Sequence, residues 1–531
     1  MPFVLQDLID AAADHRPQSP ALFHKDQTVA YADLAELISR VAGGLRRLGL
    51  RPDERVAVYL PKQLETVAAL FGGAASGGVF VPINPSLKPA QVGYILRDCN
   101  VRVLITTDSR RDALGTELAS CPDLRQVVVT DSPETTYEPA SDSTLMAWDE
   151  LVDTPGPGVR RRIDGDLAAI LYTSGSTGRP KGVVLSHRNI VTGAASVASY
   201  LENQPDDRLL AVLPLSFDYG LSQLTTAFHR GASVALMEYL LPRDIPKAVV
   251  HHQITGLAAV PPLWHQLARL EWPPEAGRTL RYITSSGGPM PQATTFALQR
   301  SLPETRIYLM YGLTEAFRST FLPPEEVARR PDSIGRPIPN AEIQVVRADG
   351  TECEPHEPGE LVHRGALVAQ GYWNAPNATR ERFRAAPGRP SQLPQPEIAV
   401  WSGDQVRRDE EGFLYFVARQ DEMIKSSGYR ISPTEIEEVA YSHEGVELAA
   451  AFGVPHPLLG EAVILALEPG PEGIAAEALK AHFRKKMPQF MVPAWVQVRE
   501  TLPRNTNGKV DRARLAQESR DLFQEGKHTD D

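Results

Sequence analysis

Short uninterrupted apolar runs alternate with longer segments of helical periodicity between residues 30 and 310. Strands buried on both faces give continuous apolar runs, whereas strands with one wet face give alternating patterns. The pattern therefore predicts an α/β fold in which helices cover layered, mostly parallel sheets. The predicted strands are RVAVYL, VRVLIT, LRQVVVT, LAAILYT, ASVALM, ITGLAAV and LRYIT.

The pattern changes in the second half of the chain. From about residue 340 the stretches AEIQVVRADG, GELVHRG and GFLYFVARQ combine short strands with acidic-glycine turns, which predicts a β-rich subdomain. After Lys425, roughly one hundred residues mix helix and strand patterns again, which is enough for a small α+β domain. We therefore predict a large N-terminal domain over residues 1–420 and a small C-terminal domain over residues 421–531.

Composition narrows the possible partners and compartment. The 531 residues carry a net charge of -11 and no dense basic run, so we expect no nucleic-acid partner. The three cysteines lie outside any CxxC or Cys/His cluster, which favours a reducing cytoplasm. Asp7 and Asp10 interrupt the segment that a signal peptide would need to keep apolar. The longest uncharged stretch, residues 66–83, predicts a buried helix and strand rather than a membrane span.

The stretch LYTSGSTGRPKGVVLSH, residues 171–187, combines glycines, hydroxyls and one lysine without any acid. A Walker A loop ends in Gly-Lys-Ser/Thr, but here Pro180 precedes Lys181 and Gly182 follows it, so that template fails. Close backbone approach, hydroxyl donors and a cation still suit phosphate, whereas a solvated linker would rarely separate a buried strand from an apolar VVL run. The candidate phosphate contacts are Thr173, Ser174, Gly175, Ser176, Thr177, Gly178 and Lys181.

Further motifs follow this loop along the chain. They are YGLTE (residues 311–315), WSGDQ (401–405), ARQDEMIKSSGYRISPTEIE (418–437) and NTNGKVDR (505–512). With these motifs in order, the sequence from about residue 5 to 515 resembles the ANL superfamily of adenylate-forming enzymes. That superfamily holds acyl-CoA synthetases, luciferases and the adenylation domains of nonribosomal peptide synthesis. One such motif alone would be weak, but five in order are specific.

The resemblance implies that a carboxylate attacks the α-phosphate of ATP, which gives an acyl-adenylate and pyrophosphate. Two anions repel each other by about 4 kcal/mol at contact in a partly screened site, so cations and backbone donors must offset the repulsion. By motif position, the loop over residues 173–181 would hold the β- and γ-phosphates, Thr314 would touch phosphate and Glu315 would hold Mg²⁺. Lys509 would reach between the substrate carboxylate and the α-phosphate.

The resemblance also implies contacts to the nucleoside. Asp404 would accept hydrogen bonds from both ribose hydroxyls, with help from Arg419, and Tyr311 would pack on the adenine. An isolated Asp after Gly is usually a turn residue, but its place in the ordered motifs favours the functional interpretation. The stretch SSGGPMP adds three residues near the adenine, namely Gly287, Gly288 and Pro289.

A second half-reaction would exchange the adenylate for a thioester with a pantetheine thiol. In this family the small domain is mobile, and a hinge matching Asp421 would let Lys509 leave the site while the segment around Gly428 faces it. Gly428 would leave room for the thiol arm. The usual Gly-Arg-x-Asp pattern is changed because Ala418 replaces its glycine. No carrier domain follows residue 515, so we expect a phosphopantetheinylated carrier protein in trans, or CoA, as acceptor.

The stretch LPLSFDYGLSQL, residues 213–224, bears on the acid that is activated. Fatty acyl-CoA ligases tend to have Pro-Leu-Phe-His-x-x-Gly here, whereas this chain has Phe217 at the histidine position, followed by Asp218. In the peptide-synthesis relatives that Asp receives the substrate ammonium group. A carboxylate beside an apolar pocket is costly unless it meets a cation, so Asp218 indicates an amino acid. The alternative is that Asp218 caps a helix outside the pocket.

Other residues would line the acid pocket. Gly220 is expected to leave space for an aliphatic substituent. Arg318 could point inward and pair with a second carboxylate, or outward as an ordinary salt-bridge former, which is the favoured orientation. The remaining wall candidates by motif position are Tyr219, Ser222, Ala259, Ser285, Met310 and Ser319.

Three functions follow from these patterns. The first hypothesis is an enzyme that adenylates an amino acid, favouring a β-amino acid with an apolar side chain, and loads it onto a carrier protein. It draws on a likeness to stand-alone enzymes that load β-amino acids and to ligases of exosortase systems. The alternative is an AMP-forming acyl-CoA ligase for an acid without an amine. A non-catalytic binding protein of the same fold is disfavoured by the intact Lys181, Glu315, Asp404 and Lys509.

Overall fold

The structure is a computed structural model. Helices and the strands of two large sheets make up most of it. It describes residues 2–131, 143–153, 161–173, 180–288, 290, 292–390, 392–419, 424–431, 433–443, 445–470, 473–503 and 510–523. The α-helices are α1 (Asp7–His15), α2 (Tyr31–Arg47), α3 (Leu64–Ala75), α4 (Pro89–Asp98), α5 (Asp108–Ala119), α6 (Trp148–Asp153), α7 (His187–Tyr200), α8 (Asp218–Arg230), α9 (Asp244–His251), α10 (Pro261–Leu267), α11 (Pro274–Thr279), α12 (Gln292–Ser301), α13 (Pro376–Arg382), α14 (Pro433–Tyr441), α15 (Ala476–Lys486) and α16 (Arg512–Glu518).

The strands fall in three sheets. They are β1 (Pro20–His24), β2 (Gln27–Ala30), β3 (Arg55–Tyr59), β4 (Val79–Pro82), β5 (Val101–Thr106), β6 (Gln126–Val129), β7 (Thr144–Ala147), β8 (Leu167–Thr173), β9 (Lys181–Ser186), β10 (Arg208–Ala211), β11 (Ser233–Leu236), β12 (Gly256–Ala259), β13 (Tyr282–Ser285), β14 (Arg306–Tyr311), β15 (Thr320–Leu322), β16 (Ser333–Pro337), β17 (Ala341–Val346), β18 (Gly359–Gly365), β19 (Phe383–Ala385), β20 (Ile398–Arg408), β21 (Leu414–Arg419), β22 (Ile424–Ser426), β23 (Tyr429–Ile431), β24 (Val446–His456), β25 (Gly460–Pro469) and β26 (Trp495–Val498).

Two large sheets confirm the predicted α/β fold with mostly parallel strands. The first has the order β7-β6-β5-β3-β4-β8-β9 and is parallel except at its β8–β9 pair. In the second, β1, β11, β10, β12, β13 and β14 run parallel. The seven predicted apolar runs all become strands of these sheets, because each is buried on both faces by helices or by the other layer.

The second sheet continues beyond β14 into antiparallel strands, in the order β15-β16-β21-β20-β18-β17. This is the β-rich region predicted from residue 340 onward. The stretch over residues 66–83 is a buried helix, α3, followed by the buried strand β4, also as predicted. Within the described residues, no helix combines the length and the apolar character that crossing a membrane requires.

A third, five-stranded sheet is formed by β22 to β26. It packs with α14 and α15 around its own apolar core, which includes Ile436, Leu465 and Phe483. All these elements follow residue 423, so this sheet belongs to the predicted C-terminal domain. The predicted boundary itself, with Asp421, lies outside the described residues.

Candidate functional site

The carboxyl ends of three parallel strands form one edge of the second sheet. Ala259 at the end of β12 is paired with Ser285 of β13, and Ser285 is paired with Leu309 of β14. Met310 and Tyr311 follow directly at the end of β14. Ligands of open α/β sheets bind beyond the carboxyl ends of the strands. The sheet therefore brings the predicted wall residues Ala259, Ser285 and Met310 to one edge.

Tyr311 and Asp404, both predicted nucleoside contacts, touch each other. The Tyr311 hydroxyl donates to Oδ2 of Asp404 at 2.5 Å. Asp404 lies on β20 and is 0 % exposed, so its carboxylate needs polar partners to remain charged. The backbone of Arg419 on β21 is its cross-strand partner, while the Arg419 side chain is outside the described part of the chain. A buried acceptor next to an aromatic ring suits a ribose and an adenine.

Glu315 lies in a one-turn 3-10 helix, Thr314–Ala316, directly after β14. It is 9 % exposed, and its Oε1 accepts a hydrogen bond from the Tyr372 hydroxyl at 2.6 Å. The same tyrosine ring lies 5.5 Å from Nζ of Lys181. A carboxylate, a phenol and an ammonium group thus converge, which is an arrangement that can hold a metal-bound polyphosphate.

Tyr372 is the residue that the motif analysis missed. Backbone hydrogen bonds join residues 370–373 to β9, including Trp373 N–H to Gly182 O at 2.7 Å and Val184 N–H to Gly371 O at 2.9 Å. Ala369 N–H also donates to Glu315 O at 2.9 Å. Through these hydrogen bonds, residues 369–373 connect β9, at the end of the predicted phosphate loop, with Glu315. A lone tyrosine in GYWN carries no spacing signal, so only this added strand-like pairing could reveal it.

The ends of the predicted phosphate loop are fixed by strand pairing. Thr173 ends β8, Lys181 begins β9, and the two residues are direct antiparallel partners. β8 and β9 are therefore antiparallel neighbours at the edge of the first sheet. The loop's predicted contacts Ser174, Gly175, Ser176, Thr177 and Gly178 lie outside the described residues, as do Pro289 and Lys509. Their roles stay predictions.

Helix α8 carries the predicted substrate residues. Asp218 is its first residue and is 5 % exposed, whereas Phe217 occupies the N-cap position. The interpretation of Asp218 as the N-cap is therefore wrong, while its place in the substrate pocket stays a prediction. Asp218 and Ser222 are four residues apart, so they lie on one face of the helix. Tyr219 joins α8 to β13, because its hydroxyl shares a 2.5 Å hydrogen bond with Oγ1 of Thr284.

The structure corrects the role expected for Gly220. A Cβ built on Gly220 would overlap the carbonyl oxygen of Pro214. This glycine is required because the first turn of α8 packs against the preceding backbone, and the volume freed by its missing side chain is already filled by protein. The expectation that Gly220 leaves space for an aliphatic substituent is wrong, and the expected apolar side chain loses its main support.

Arg318 also differs from expectation, since an outward orientation was favoured. The side chain is 2 % exposed, and its Nη1 donates to Oγ of Ser286 at 3.1 Å. Its guanidinium carbon lies 4.7 Å from the ring centroid of Tyr219. Nε has no hydrogen-bond partner, and no carboxylate of the described residues lies within 4.0 Å of the guanidinium. Arg318 is thus a buried cation beside the predicted wall residue Tyr219 rather than a surface salt-bridge former.

Strained backbone precedes this arginine. Phe317 adopts a φ of 58° although it is a buried phenylalanine and not a glycine. A non-glycine residue in this region costs on the order of 1–3 kcal/mol and persists only where the surroundings dictate it. The next residues follow this turn, with Ser319 fully buried and its Oγ 2.9 Å from Nδ1 of His363. Burial lowers the pKa of His363 to about 3, so that imidazole is neutral.

The hairpin of β22 and β23 reaches this edge from the C-terminal region. A Cβ on Gly287 would be 3.4 Å from the carbonyl oxygen of Gly428, and a Cβ on Gly428 would be 2.6 Å from Cγ1 of Val260. Gly428 has a φ of 81°, which favours glycine. Gly288 lies next to Pro261. The predicted thiol-arm residue Gly428 is therefore in contact with the strand ends that carry the predicted nucleotide and acid contacts.

Taken together, these contacts bring predicted nucleotide and acid residues to one edge of the second sheet, beside the hairpin of β22 and β23. Residues 9–373 match the family model described as AMP-binding enzyme, and residues 435–509 match the AMP-binding enzyme C-terminal domain. The chain belongs to this family of adenylate-forming enzymes.

Named relatives agree with this assignment. The chain is 31% identical to L-proline--[L-prolyl-carrier protein] ligase of Streptomyces coelicolor, covering 97% of this chain and 96% of that protein. It is 28% identical to tyrocidine synthase 3 of Brevibacillus parabrevis, covering 96% of this chain but only 8% of that much longer protein. A solved variant of o-succinylbenzoate CoA synthetase from Bacillus subtilis, bound with its product analogue, superposes with a TM-score of 0.82 at 26% identity, covering 96% of this chain and 98% of that one.

Proposed function

We propose that this ligase activates an amino acid as an aminoacyl-adenylate and passes it to the phosphopantetheine thiol of a separate carrier protein. The observation that carries the amino-acid part is Asp218, a carboxylate buried at the start of α8 beside a wall residue, Tyr219, that is bonded to β13. An acid in such a place favours a substrate that brings an ammonium group. A β-amino acid is favoured by the likeness to stand-alone loading enzymes.

The residues available for ATP and Mg²⁺ fit those ligands. No group of three or more His, Cys, Asp or Glu side chains within the described residues could hold a metal ion by itself. Mg²⁺ is commonly held by one or two carboxylates together with substrate phosphates, and Glu315 supplies one such carboxylate. When bound, the metal would neutralise charge on the polyphosphate. Lys181 would bind that polyphosphate, while Asp404 and Tyr311 would orient the nucleoside.

The chemistry then needs little from the chain beyond orientation and charge. The substrate carboxylate attacks the α-phosphorus, the bond to the bridging oxygen breaks, and pyrophosphate leaves with the electron pair. Lys509 would lower the repulsion between the two anions at that moment. In the second step the thiol loses its proton, attacks the acyl carbon and displaces AMP. Gly428, which has no side chain, would leave room for the pantetheine arm.

The acceptor is supported by the named relatives. One is a ligase for a carrier protein, and another is a CoA synthetase. A carrier protein is favoured because the amino-acid interpretation of Asp218 fits the first of these. CoA as acceptor would instead accompany the alternative function, an acyl-CoA ligase for acids without an amine.

Pyrophosphate exchange with a panel of α-amino, β-amino and plain fatty acids tests this function. We expect exchange with amino acids, and a loss of about a hundredfold or more in Asp218→Ala, because the substrate ammonium loses its counter-ion. Asp206→Ala, at an exposed position, is the matched control. Exchange with fatty acids alone, unchanged in Asp218→Ala, would refute the amino-acid function. Mass spectrometry of holo carrier protein and of CoA then identifies the acceptor.

A further inference from the structure

Among the residues that the structure describes, Arg318 has no oppositely charged side chain within ion-pair distance. Arg318 donates to the Ser286 hydroxyl and lies over the Tyr219 ring. Both contacts are to neutral groups, so neither compensates the charge. Buried charges in proteins are normally paired, since an isolated one is costly to remove from water. An anionic ligand group at this position would supply the missing partner.

The contacts of Arg318 separate it from the nucleotide residues. Its guanidinium touches α8 through Tyr219 and the end of β13 through Ser286. The residues proposed for the nucleoside form one pair, Tyr311 with Asp404. Glu315 is bonded to Tyr372 beside Lys181. Since Arg318 faces the acid wall and makes none of these contacts, its anion belongs to the acid substrate rather than to ATP.

The surrounding wall is polar. Several hydroxyl side chains of α8, of β13 and its end, and of the turn after β14 are buried, and two of them contact Tyr219 and Arg318 directly. Thr284 shares a hydrogen bond with Tyr219, and Ser286 accepts one from Arg318. Ser319, which follows Arg318 in the chain, is also buried.

We propose that Arg318 binds a second carboxylate, carried by the side chain of the substrate, so that the enzyme activates an amino dicarboxylic acid. This deepens the proposed function and rests on it for the amine. The two ends of the substrate would be told apart by charge. Asp218 receives the ammonium group, Arg318 receives the distal carboxylate through its planar fork of N–H donors, and the remaining carboxylate is left for adenylation.

Four acids of matched chain length test the assignment by pyrophosphate exchange. They combine the presence or absence of an amine with the presence or absence of a distal carboxylate, and the half-amide of the amino dicarboxylic acid serves as its neutral isostere. The wild type should prefer the amino dicarboxylic acid over the half-amide by at least about a hundredfold in kcat/KM, because a buried charge paired with a neutral group is penalised. This comparison requires no variant.

Arg318→Met should abolish that preference, lowering kcat/KM for the amino dicarboxylic acid by about a hundredfold or more while changing it little for the half-amide. Arg318→Lys should retain part of the preference, because a cation remains without the bidentate fork. Arg306→Met is the matched control, since Arg306 pairs with the exposed Glu202 at the opposite end of β14. Thermal melts establish that the variants remain folded.

The outcomes are distinguishable. A wild type that prefers amino acids with neutral side chains, with Arg318→Met showing the same preference, overturns the second carboxylate and leaves the proposed function intact. Use of the dicarboxylic acid without an amine as efficiently as its amino counterpart, with dependence on Arg318, overturns the amino-acid function and retains the role of Arg318. Exchange with plain monocarboxylic acids alone overturns both.

Discussion

At the scale of single residues, Tyr372 is the contact that gives Glu315 a defined position. The carboxylate is nearly buried and accepts the phenol O–H at 2.6 Å. A hydrogen bond to a charged acceptor is stronger than one between neutral groups, and it fixes the carboxylate orientation. Residues that orient a metal-binding carboxylate commonly contribute to metal affinity although they do not touch the metal.

We therefore predict that Tyr372→Phe raises the Mg²⁺ concentration required for half-maximal pyrophosphate exchange by about ten- to a hundredfold. The ring that faces Lys181 is retained, so only the O–H donor is lost. The measurement is the exchange rate against free Mg²⁺ at saturating ATP. Tyr59→Phe is the control, because its hydroxyl donates to a backbone oxygen, Leu87 O, on the first sheet. An unchanged Mg²⁺ dependence would contradict the orienting role.

His187 makes stability depend on pH. Its Nδ1 accepts from Leu5 N–H at 3.0 Å, and burial lowers its pKa to about 4. The folded state holds this imidazole neutral, whereas the unfolded chain binds a proton below its ordinary pKa of about 6.5. The contribution of His187 to the free energy of unfolding is therefore fully present above pH 6.5. It is lost as the pH drops through 4, and the loss amounts to about 3 kcal/mol.

His187→Asn should remove that part of the pH dependence, because the amide accepts from Leu5 N–H but does not titrate. Urea unfolding at pH 7, 6, 5 and 4.5 measures the difference from wild type, which should shrink as the pH falls. His251→Asn, at an exposed position at the end of α9, should show no such convergence. Parallel pH profiles for His187→Asn and wild type would exclude this linkage.

The orientation of Arg318 could not be predicted from the sequence. The side chain of an arginine three residues after Glu315 can point either to solvent or to the protein interior. Arginine side chains are mostly exposed in proteins, which favours the solvent orientation. The orientation of Arg318 depends on Phe317, whose positive φ turns the chain inward. A positive φ is uncommon for phenylalanine, so the sequence does not indicate this turn. By contrast, the ordered motifs predict both Asp404 and Tyr311 as nucleoside contacts although they lie far apart in the chain, and the two side chains are hydrogen-bonded in the structure.

At the scale of elements, α8 shows how a glycine can be misinterpreted. The sequence indicates a missing side chain at Gly220 but not which neighbour fills the space. In the structure the neighbour is the backbone at Pro214, so the glycine lets the helix begin immediately after a turn. Strands were easier to predict, because burial on both faces leaves a continuous apolar run in the sequence itself, as in β3 and β5.

Gly220→Ala is expected to lower the free energy of unfolding by about 1–3 kcal/mol, because the new methyl group must displace backbone rather than a flexible side chain. Urea denaturation measures the change. Gly165→Ala serves as control, since a Cβ there meets nothing within 4 Å. If Gly220→Ala were as stable as the control and gained activity only toward shorter acids, Gly220 would line the pocket after all.

At the scale of the whole molecule, the contacts between described residues of the small and large domains include those of Glu435 and Gly428. Gln91 Nε2 of α4 donates to Oε1 of Glu435 at 3.0 Å, and Gly428 approaches Val260 and Gly287. The sequence predicts two domains, because the change in the hydrophobic and polar pattern between them is visible in neighbouring residues of the chain. It does not predict which face of the small domain meets the site, since that depends on weak contacts between surfaces far apart in the chain.

If the domain alternates between two orientations, the two half-reactions should separate by mutation. Lys509→Ala should lose adenylation but still form thioester from preformed acyl-adenylate. The Gly428→Ala variant should still form the adenylate, but its rate of thioester formation should fall tenfold or more. The new Cβ would press on Val260 and move the hairpin away from the strand ends. Single-turnover assays with ATP or with preformed adenylate measure the steps separately.

Gly412→Ala isolates the effect of contact from that of backbone strain. Gly412 has a φ of 86°, close to the 81° of Gly428, but a Cβ there meets nothing within 4 Å. Both substitutions therefore strain the backbone, and only Gly428→Ala disturbs the contact with the large domain. Adding Val260→Ala to Gly428→Ala should restore part of the thioester rate, since it removes the clashing methyl groups. Loss of both half-reactions in Lys509→Ala, or equal effects of the two glycine substitutions, would mean that a single domain orientation serves both steps.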